Sequence, residues 1–332
     1  MAKLRVAING FGRIGRQVLL AGIKEKGIEW VAVNDLTTPE ALAYLLKHDS
    51  VHGTSGLNIA YGPGYLTLEG KKIQIFSEKD PTRLPWKKLK IDAVIESTGF
   101  FTKKEEAQMH ITAGAKKVLI SAPGKGDLLT VVKGVNLDKY DKKVNHVVSN
   151  ASCTTNCLAP IVKVLNDNFG IVHGAMTTTH SYTADQRLVD APHNDFRRGR
   201  SAALNIVPTT TGAAVAVTQT IPELAGKLDG HALRVPTPDG SMTDFVCVVK
   251  KPTTIEQVNS AFRKAANGPM KGIIEYSEEE LVSTDIVGNQ HSAVFDSKLT
   301  MVVDGVLVKV MAWYDNEIGY SRRVVDVLKS LL

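Results

Sequence analysis

The sequence predicts an α/β protein in two parts. A parallel sheet with helices on both faces is followed by an α+β part with a largely antiparallel sheet. The first half alternates short apolar strands with helical stretches, which is typical of a parallel sheet buried on both sides. The second half has longer strands, and Asp304-Gly305 is a strong two-residue hairpin signal. The last segment, 317–332, returns to helical periodicity.

Length and composition agree with this organisation. A chain of 332 residues corresponds to about two domains. Hydrophobic residues make up 43% and charged residues 22%, values that exclude an intrinsically disordered chain. Three cysteines in this length exclude a secreted scaffold held together by disulfides.

Charge and hydropathy limit the expected partners. Lysine and arginine number 40 and aspartate and glutamate 34, which gives a net charge of +6. The densest basic patch, 197–200, accompanies no nucleic-acid-binding motif, so nucleic acid is not expected as the main ligand. The longest uncharged stretch, 201–222, contains threonine, asparagine, glutamine and proline, and the first apolar run is too short for a signal peptide. We therefore expect no membrane contact and a cytoplasmic location with reduced thiols.

The predicted elements follow in a regular order. In the first half, apolar runs predict strands at 4–8, 30–33, 93–95 and 118–121, and helices at 14–23 and 103–112. In the second half, strands are predicted at 144–148, 245–249, 298–303 and 306–314, and a helix at 152–166. Thr254 and Gln257 predict a capping box before a helix whose apolar face holds Ile255, Val258 and Phe262.

A glycine-rich loop follows the first strand and opens the first helix. Gly10, Gly12 and Gly15 form a GxGxxG pattern, and Asp35 lies 20 residues beyond Gly15 at the end of the second strand. The glycines allow a tight turn and close approach of a pyrophosphate, to which the helix N-terminus presents N–H groups. Asp35 can accept hydrogen bonds from ribose hydroxyls and would repel a 2′-phosphate, so the pattern favours NAD over NADP.

Two other interpretations of this loop are weaker. A kinase glycine loop requires valine two residues after the third glycine, where Gln17 stands, and neither HRD nor DFG occurs in the chain. A packing turn without a ligand is the non-functional alternative.

Cys153 is the candidate nucleophile. It stands in the first turn of a predicted helix, where the helix dipole stabilises a thiolate. Cys247, in an apolar strand, and Cys157, one turn further along the helix, are expected to be buried and unreactive. Cys153 and Cys157 alone offer too few ligands for a metal, so no metal site is expected. Among nine histidines, His180 has the most suggestive setting as a partner for the thiol.

Several runs together resemble the phosphorylating glyceraldehyde-3-phosphate dehydrogenases. They are GFGRIGR with Asp35, SNASCTTNCLAP, TTTHSYT, LNIVPTTTGAA, LRVPTP and WYDNEIGYS, in this order along essentially the whole chain. The resemblance implies a Rossmann-type dinucleotide-binding domain formed by 1–151 with 316–332 and a catalytic domain formed by 152–315. It also implies NAD as the cofactor and a homotetramer.

The resemblance further implies the chemistry. Cys153 attacks the aldehyde of glyceraldehyde 3-phosphate to give a thiohemiacetal, and hydride loss to NAD gives a thioester. Inorganic phosphate then releases 1,3-bisphosphoglycerate. His180 activates the thiol and takes the hemiacetal proton, while its ring and the backbone N–H of Cys153 stabilise the oxyanion.

The remaining site residues are implied in the same way. Thr183 and Arg234 match the positions for the substrate's C3 phosphate, and Ser152, Thr154, Thr211 and Gly212 those for inorganic phosphate, with Arg198 in the same region. The cofactor positions are Gly10, Gly12, Arg13, Ile14 and Gly15 at the pyrophosphate turn, Asp35 at the ribose, Lys79, Thr98 and Ser121 around the adenosine and nicotinamide ends, and Asn316 with Tyr320 at the carboxamide. Leu188 and Pro192 match the NAD-preferring form of the family.

Two alternative functions stay open at this level. Erythrose-4-phosphate dehydrogenase shares the thiol, the histidine and the cofactor domain, so motifs separate it poorly. A non-enzymatic nucleic-acid-binding or partner-binding protein on a dehydrogenase scaffold would show a damaged site, whereas Cys153, His180 and Asp35 are all present.

Overall fold

The computed structural model describes residues 3–331, so Met1, Ala2 and Leu332 of the predicted first domain lie outside it. The chain divides into two compact units. The first consists of the stretch up to Val131, Leu137–Ala151 and the segment from Ser321, and the second consists of Val132–Asn136 and Ser152–Tyr320. Residues 316–320, which the resemblance assigned to the first domain, fall in the second unit. There the Gly319 backbone packs so closely on the His291 carbonyl that a Cβ would lie 2.6 Å from its oxygen.

The first unit is built around a nine-stranded sheet. Its elements are β1 (Leu4–Asn9), α1 (Arg13–Gly22), β2 (Ile28–Asn34), α2 (Pro39–Lys47), β3 (His48–Asp49), β4 (Gly53–Thr54), β5 (Ile59–Gly62), β6 (Tyr65–Leu68), β7 (Lys71–Phe76), β8 (Ala93–Glu96), α3 (Lys104–Ala107), α4 (Met109–Thr112), β9 (Lys117–Ile120), β10 (Leu129–Thr130) and β11 (Val147–Ser149).

The sheet has the strand order β10-β11-β9-β8-β1-β2-β7-β6-β5, and β3 and β4 pair separately. All pairs from β10 to β7 are parallel, which confirms the predicted parallel sheet. The antiparallel edge formed by β5, β6 and β7 was not predicted. The helix predicted at 103–112 is two short helices that meet at Gln108. The strand predicted at 144–148 begins only at Val147, because Val144 is exposed to solvent.

The core of this unit fixes where a ligand can bind. The apolar side chains of β8 and β9, and those of β1 from Val6 onward, are fully buried, and Trp86 packs beneath the sheet with Val94 and Ile91. The carboxyl ends of these parallel strands meet at one sheet edge, which is where ligands bind in such folds. The glycine loop, Asp35, Thr98 and Ser121 all follow strands at this edge.

The second unit is built around a seven-stranded sheet. Its elements are α5 (Cys153–Phe169), β12 (Ile171–Ser181), β13 (Val207–Thr210), α6 (Ala213–Thr220), β14 (Leu228–Val235), β15 (Ser241–Val249), α7 (Ile255–Asn267), β16 (Ile274–Ser277), β17 (Ala293–Val303), β18 (Leu307–Tyr314) and the start of α8 (Ile318–Leu328), which continues into the first unit.

The second sheet is largely antiparallel, as predicted. Its order is β13-β14-β12-β15-β18-β17-β16, and only the β12–β14 and β16–β17 pairs are parallel. The predicted hairpin between β17 and β18 is confirmed: Asp304 and Gly305 have φ values of 51° and 69°, as a type I′ turn requires. The predicted capping box of Thr254 and Gln257 also forms. No helix within residues 3–331 is long and apolar enough to cross a bilayer.

Candidate active site

The glycine loop of the first unit has the geometry of a phosphate cradle. Gly10 has a φ of 88°, and a Cβ there would lie 2.6 Å from the backbone nitrogen of Thr98. A Cβ on Gly15 would lie 2.2 Å from the Gly10 carbonyl oxygen, so helix α1 packs tightly on the loop. Gly12 caps α1, and nothing lies within 4 Å of where its Cβ would be, which leaves room at the helix N-terminus for an anion.

Asp35 fits a ribose. One carboxylate oxygen accepts the backbone N–H of Phe11 at 2.7 Å, and the other accepts that of Thr37 at 3.2 Å. A carboxylate oxygen has two lone pairs, so each oxygen retains one for a sugar hydroxyl. The bond to Phe11 also ties Asp35 to the glycine loop. The residues at this edge therefore fit a dinucleotide.

The other predicted cofactor residues of the first unit lie around the same edge. Lys79 is exposed in the loop after β7, and Arg13, at the start of α1, pairs with Asp49 at 3.0 Å. The Ser121 hydroxyl lies 3.1 Å from the Glu96 carbonyl oxygen, to which it donates. Ile14 lies in the first turn of α1, beside the cradle.

In the second unit, helix α5 presents Cys153 at its first residue. The side chain of Ser152 caps this helix by accepting the N–H of Thr155 at 3.0 Å. Ala151, just before it, has a φ of 55°, a conformation that costs a non-glycine residue energy and turns the chain from β11 into the helix. The Cys153 Sγ lies 3.4 Å from Nε2 of His180.

Strand pairing explains why Arg234 joins this pair. His180 near the end of β12 is the register partner of Arg234 on the parallel strand β14. As a result, Nη1 of Arg234 lies 2.7 Å from Nδ1 of His180 and 3.0 Å from the Ser181 carbonyl oxygen. The same oxygen lies 2.7 Å from Nδ1.

Two neighbours of Nδ1 act in opposite directions on the tautomer of His180. The Ser181 carbonyl oxygen can accept Nδ1–H, whereas the Arg234 guanidinium can only donate and favours a ring without a proton on Nδ1. With its proton on Nδ1, the ring turns the lone pair of Nε2 toward the thiol, as a general base requires.

Burial sets the protonation states of the pair. Burial raises the pKa of Cys153, and the Arg234 charge and hydrogen bonding with Thr154 offset part of that increase. Burial, with Arg234, lowers the pKa of His180 to about 3. The position of Cys153 at the helix N-terminus predicts a stabilised thiolate. In the structure desolvation is the larger effect, and it favours the neutral forms of both groups.

The predicted phosphate residues are only partly brought together. Arg234 contacts His180, whereas Arg198 pairs with Asp185 and donates to Thr209 at 2.7 Å. Thr211 accepts the N–H of Ala213, and Gly212 caps α6, so these two form a second helix N-terminus. Within the described residues, Thr183, Arg198, Thr211 and Gly212 make no hydrogen bond to Cys153 or His180.

The two predicted carboxamide residues are buried in the second unit. Asn316 accepts the Ser241 hydroxyl at 2.6 Å through its Oδ1, which fixes the orientation of its amide. Tyr320 is buried in the first turn of α8, and this burial raises the pKa of its hydroxyl.

Tyr314 and Thr178 are site residues that the sequence did not predict. The Tyr314 hydroxyl lies 2.9 Å from that of Thr154 and 2.8 Å from that of Thr178, and its ring meets the His180 ring edge-on at 6.0 Å. Strand alternation contains the signal for Thr178, because residues two apart on a strand share a face. Nothing in the sequence pairs Tyr314 with that face before β15 and β18 are in register.

A glycine cradle with an acid after the next strand in the first unit, and a thiol–imidazole pair in the second unit, together define a dinucleotide-dependent oxidoreductase. Comparisons with known proteins specify the family. Residues 4–104 match the family model "Glyceraldehyde 3-phosphate dehydrogenase, NAD binding domain", and residues 152–316 match the model of the C-terminal domain.

Curated relatives match over nearly the whole chain. The chain is 57% identical over 324 residues to glyceraldehyde-3-phosphate dehydrogenase of Geobacillus stearothermophilus. It is 58% identical over 327 residues to glyceraldehyde-3-phosphate dehydrogenase 2 of Trichormus variabilis, and 55% over 324 residues to glyceraldehyde-3-phosphate dehydrogenase 1 of Bacillus subtilis. Each match covers 98% of this chain and 97% of the relative. The chain belongs to the glyceraldehyde-3-phosphate dehydrogenase family, and its cofactor is NAD.

Proposed function

We propose that this enzyme oxidises glyceraldehyde 3-phosphate to 1,3-bisphosphoglycerate, with Cys153 as the nucleophile and His180 as the base. The observation that carries the proposal is the 3.4 Å contact between the Cys153 Sγ and Nε2 of His180 at the start of α5. The names of the relatives support this substrate and do not favour erythrose 4-phosphate.

The first step forms a bond between Sγ and the aldehyde carbon. The thiol proton passes to Nε2 of His180 and from there to the carbonyl oxygen, which becomes the thiohemiacetal hydroxyl, and the Ser181 carbonyl holds Nδ1–H of the transient imidazolium. The Arg234 charge opposes that imidazolium, since it lowers the pKa of His180. A substrate phosphate bound to Arg234 would cancel the opposing charge, so binding itself favours the proton transfer.

The next steps conserve the energy of oxidation. Bound NAD supplies the hydride acceptor that turns the thiohemiacetal into a thioester. The proton of the hemiacetal hydroxyl leaves to His180 during this step. Inorganic phosphate then attacks the thioester carbonyl, and the bond to the Cys153 Sγ breaks.

Two anions must be held during these steps, and we assign them to separate groups. Arg234 and Thr183 bind the C3 phosphate, because Arg234 lies against His180. The N-terminus of α6, with Thr211 and Gly212, offers N–H groups for inorganic phosphate. Ser152 and Thr154 complete the second group, and Arg198 is drawn to it by exchanging Asp185 for phosphate.

The cofactor residues are assigned with the first unit's geometry as support. Asp35 accepts the ribose hydroxyls and selects NAD over NADP, because its carboxylate repels a 2′-phosphate. The remaining assignments follow the family positions: Gly10, Gly12, Arg13, Ile14, Gly15, Lys79, Thr98, Ser121, Asn316 and Tyr320.

We also propose a homotetramer in the cytoplasm. The loop between β12 and β13 leaves Leu188, Phe196, Leu204 and Ile206 between 66% and 88% exposed, an apolar surface that a partner copy would cover. The three free cysteines of the chain suit a reducing compartment. Sedimentation of the purified protein tests the tetramer.

One assay tests the activity. NADH formation is followed with glyceraldehyde 3-phosphate or erythrose 4-phosphate, with and without inorganic phosphate. We expect sustained turnover only with glyceraldehyde 3-phosphate and phosphate together. Faster turnover of erythrose 4-phosphate, or turnover independent of phosphate, would reject the proposed function.

A further inference from the structure

A cluster of buried polar side chains lies beneath the dinucleotide-binding edge of the first unit, and no step of the chemistry uses it. Glu96, His110 and Asn9 are each no more than 2% exposed. Glu96 is the last residue of β8 and Asn9 the last of β1, so both stand where the cofactor-binding loops begin.

Four N–H or O–H groups point at the Glu96 carboxyl group. Oε1 accepts the backbone N–H of Thr98 at 2.8 Å and also its hydroxyl. Oε2 accepts Nδ2 of Asn9 at 2.6 Å and Nε2 of His110 at 3.0 Å. A carboxylate has about four lone-pair sites, so these donors saturate an ionised Glu96.

The direction of the hydrogen bond between His110 and Glu96 is fixed by Trp86, on the other side of the imidazole ring. The indole N–H of Trp86 lies 3.0 Å from Nδ1 of His110, and an indole can only donate. Nδ1 must therefore be the acceptor, which leaves the ring proton on Nε2, facing Glu96.

The direction of the hydrogen bond between Asn9 and Glu96 is fixed in the same way, through Asn34. The backbone N–H of Glu78 donates to Oδ1 of Asn34 at 2.9 Å, while Nδ2 of Asn34 donates to the Glu78 carbonyl oxygen at 2.8 Å. Asn34 cannot flip, so its Nδ2 also donates to Oδ1 of Asn9 at 2.7 Å. Asn9 must then turn its own Nδ2 toward Glu96.

The backbone N–H of Thr98 therefore requires an acceptor at Oε1, and the bonds fixed by the Glu78 N–H and the Trp86 indole require an acceptor at Oε2. We propose that Glu96 is a positioning residue that, as a carboxylate, holds the cofactor-binding loops after β1, β2, β7 and β8 in the arrangement that binds NAD. The inference rests on the NAD site proposed at this edge. It assigns no contact between Glu96 and the cofactor.

The proposal makes Glu96→Gln a severe change despite the similar shape. A glutamine amide would turn its N–H groups either toward those of Asn9 and His110, which cannot reverse, or toward the backbone N–H of Thr98, so in both orientations at least one buried donor is left without an acceptor. We expect the dissociation constant for NAD to rise about tenfold, as for one unsatisfied buried polar group. The kcat at saturating NAD should stay close to that of the parent enzyme, because the thiol site lies in the other unit.

Glu96→Asp provides the second variant. It keeps a carboxylate, which only accepts, on a side chain one methylene shorter, whereas glutamine keeps the shape and loses the acceptor. We therefore expect Glu96→Asp to retain more NAD affinity than Glu96→Gln. An affinity in Glu96→Asp no better than in Glu96→Gln, or an unchanged dissociation constant in Glu96→Gln, would overturn the proposal.

Asp326→Asn is the matched control. Asp326 is a buried acid that pairs with Arg322 and Arg323 on α8. Its conversion to an amide should lower the melting temperature with an unchanged dissociation constant for NAD. Glu96→Gln would behave in this way if its role were only structural, and that result counts against the proposal.

The measurement is separable from the proposed reaction. NAD binding is titrated without aldehyde or phosphate, so failure of the phosphorylating assay leaves it intact, whereas a parent protein that binds no NAD rejects the proposed cofactor site. Should Glu96→Gln fail to fold, Glu96→Asp decides: folded protein that binds NAD supports the proposal, and Glu96→Asp recovered no better than Glu96→Gln overturns it.

Discussion

Helix α5 carries two cysteines one turn apart, and their surroundings differ sharply. Cys153 is the first helical residue, partly buried and 3.4 Å from the His180 ring. Cys157 is fully buried, its Sγ lies 3.8 Å from the Ala312 carbonyl oxygen, and burial raises its pKa to about 12. Burial also raises the pKa of Cys153, but Arg234 and Thr154 act against it. The two thiols therefore share a helix and differ in that Cys153 has a proton acceptor and a nearby cation beside it.

The largest expected effect comes from Cys153→Ser. A serine hydroxyl is not ionised near neutral pH, and an ester is a poorer acyl donor than a thioester, so oxidation should fall by roughly 10⁴-fold or more. Steady-state NADH formation measures it, with Cys157→Ser as the control that keeps most of its turnover. Near-normal turnover in Cys153→Ser with a dead Cys157→Ser would reverse the assignment of the nucleophile.

His180→Asn removes the proton acceptor of Cys153, which Cys157 lacks. Turnover should fall by roughly 10² to 10⁴, the usual range for a lost general base. Alkylation of Cys153 near pH 7 should also slow, because the thiol proton loses its acceptor. If the alkylation rate and its pH profile stay the same, His180 does not serve Cys153.

The sheets and the Cys153–His180 pair could be predicted from the sequence because the signals for them are local. Strand apolarity, the glycine loop and the Asp304-Gly305 turn are local signals, and the structure confirms the elements they predict. Residue roles came through the family resemblance and stay predictions. The contact of Arg234 with His180 depends on the register of β12 against β14, which no local pattern specifies. The Glu96 cluster joins groups up to 101 positions apart, so its hydrogen-bond polarity appears only in the folded chain.

Arg234→Leu removes the cation that distinguishes the surroundings of Cys153 from those of Cys157. Loss of a hydrogen bond to a charged group should raise the KM for glyceraldehyde 3-phosphate about ten- to a hundredfold. The pKa of Cys153 should also rise, because Arg234 now lowers it, so the alkylation profile should move to higher pH. Arg197→Leu, which removes an exposed arginine of the basic patch at 197–200, is the control. Equal shifts in both variants would make the effect one of net charge rather than of the site.

The smallest effect is expected from substitution of Cys157, the buried cysteine of the pair. Cys157→Ala should cost about 1 kcal/mol of unfolding free energy through lost packing and leave turnover nearly unchanged. Labelling distinguishes the thiols more sharply. With a pKa of about 12 at Cys157 and at Cys247, only about one molecule in ten thousand carries either thiolate at pH 8, before burial limits access further. Iodoacetamide should therefore modify Cys153 alone in the folded protein and all three cysteines in denaturant. Labelling of Cys157 at a rate comparable to Cys153, read by peptide mass spectrometry, would show that the first turn of α5 has no special reactivity.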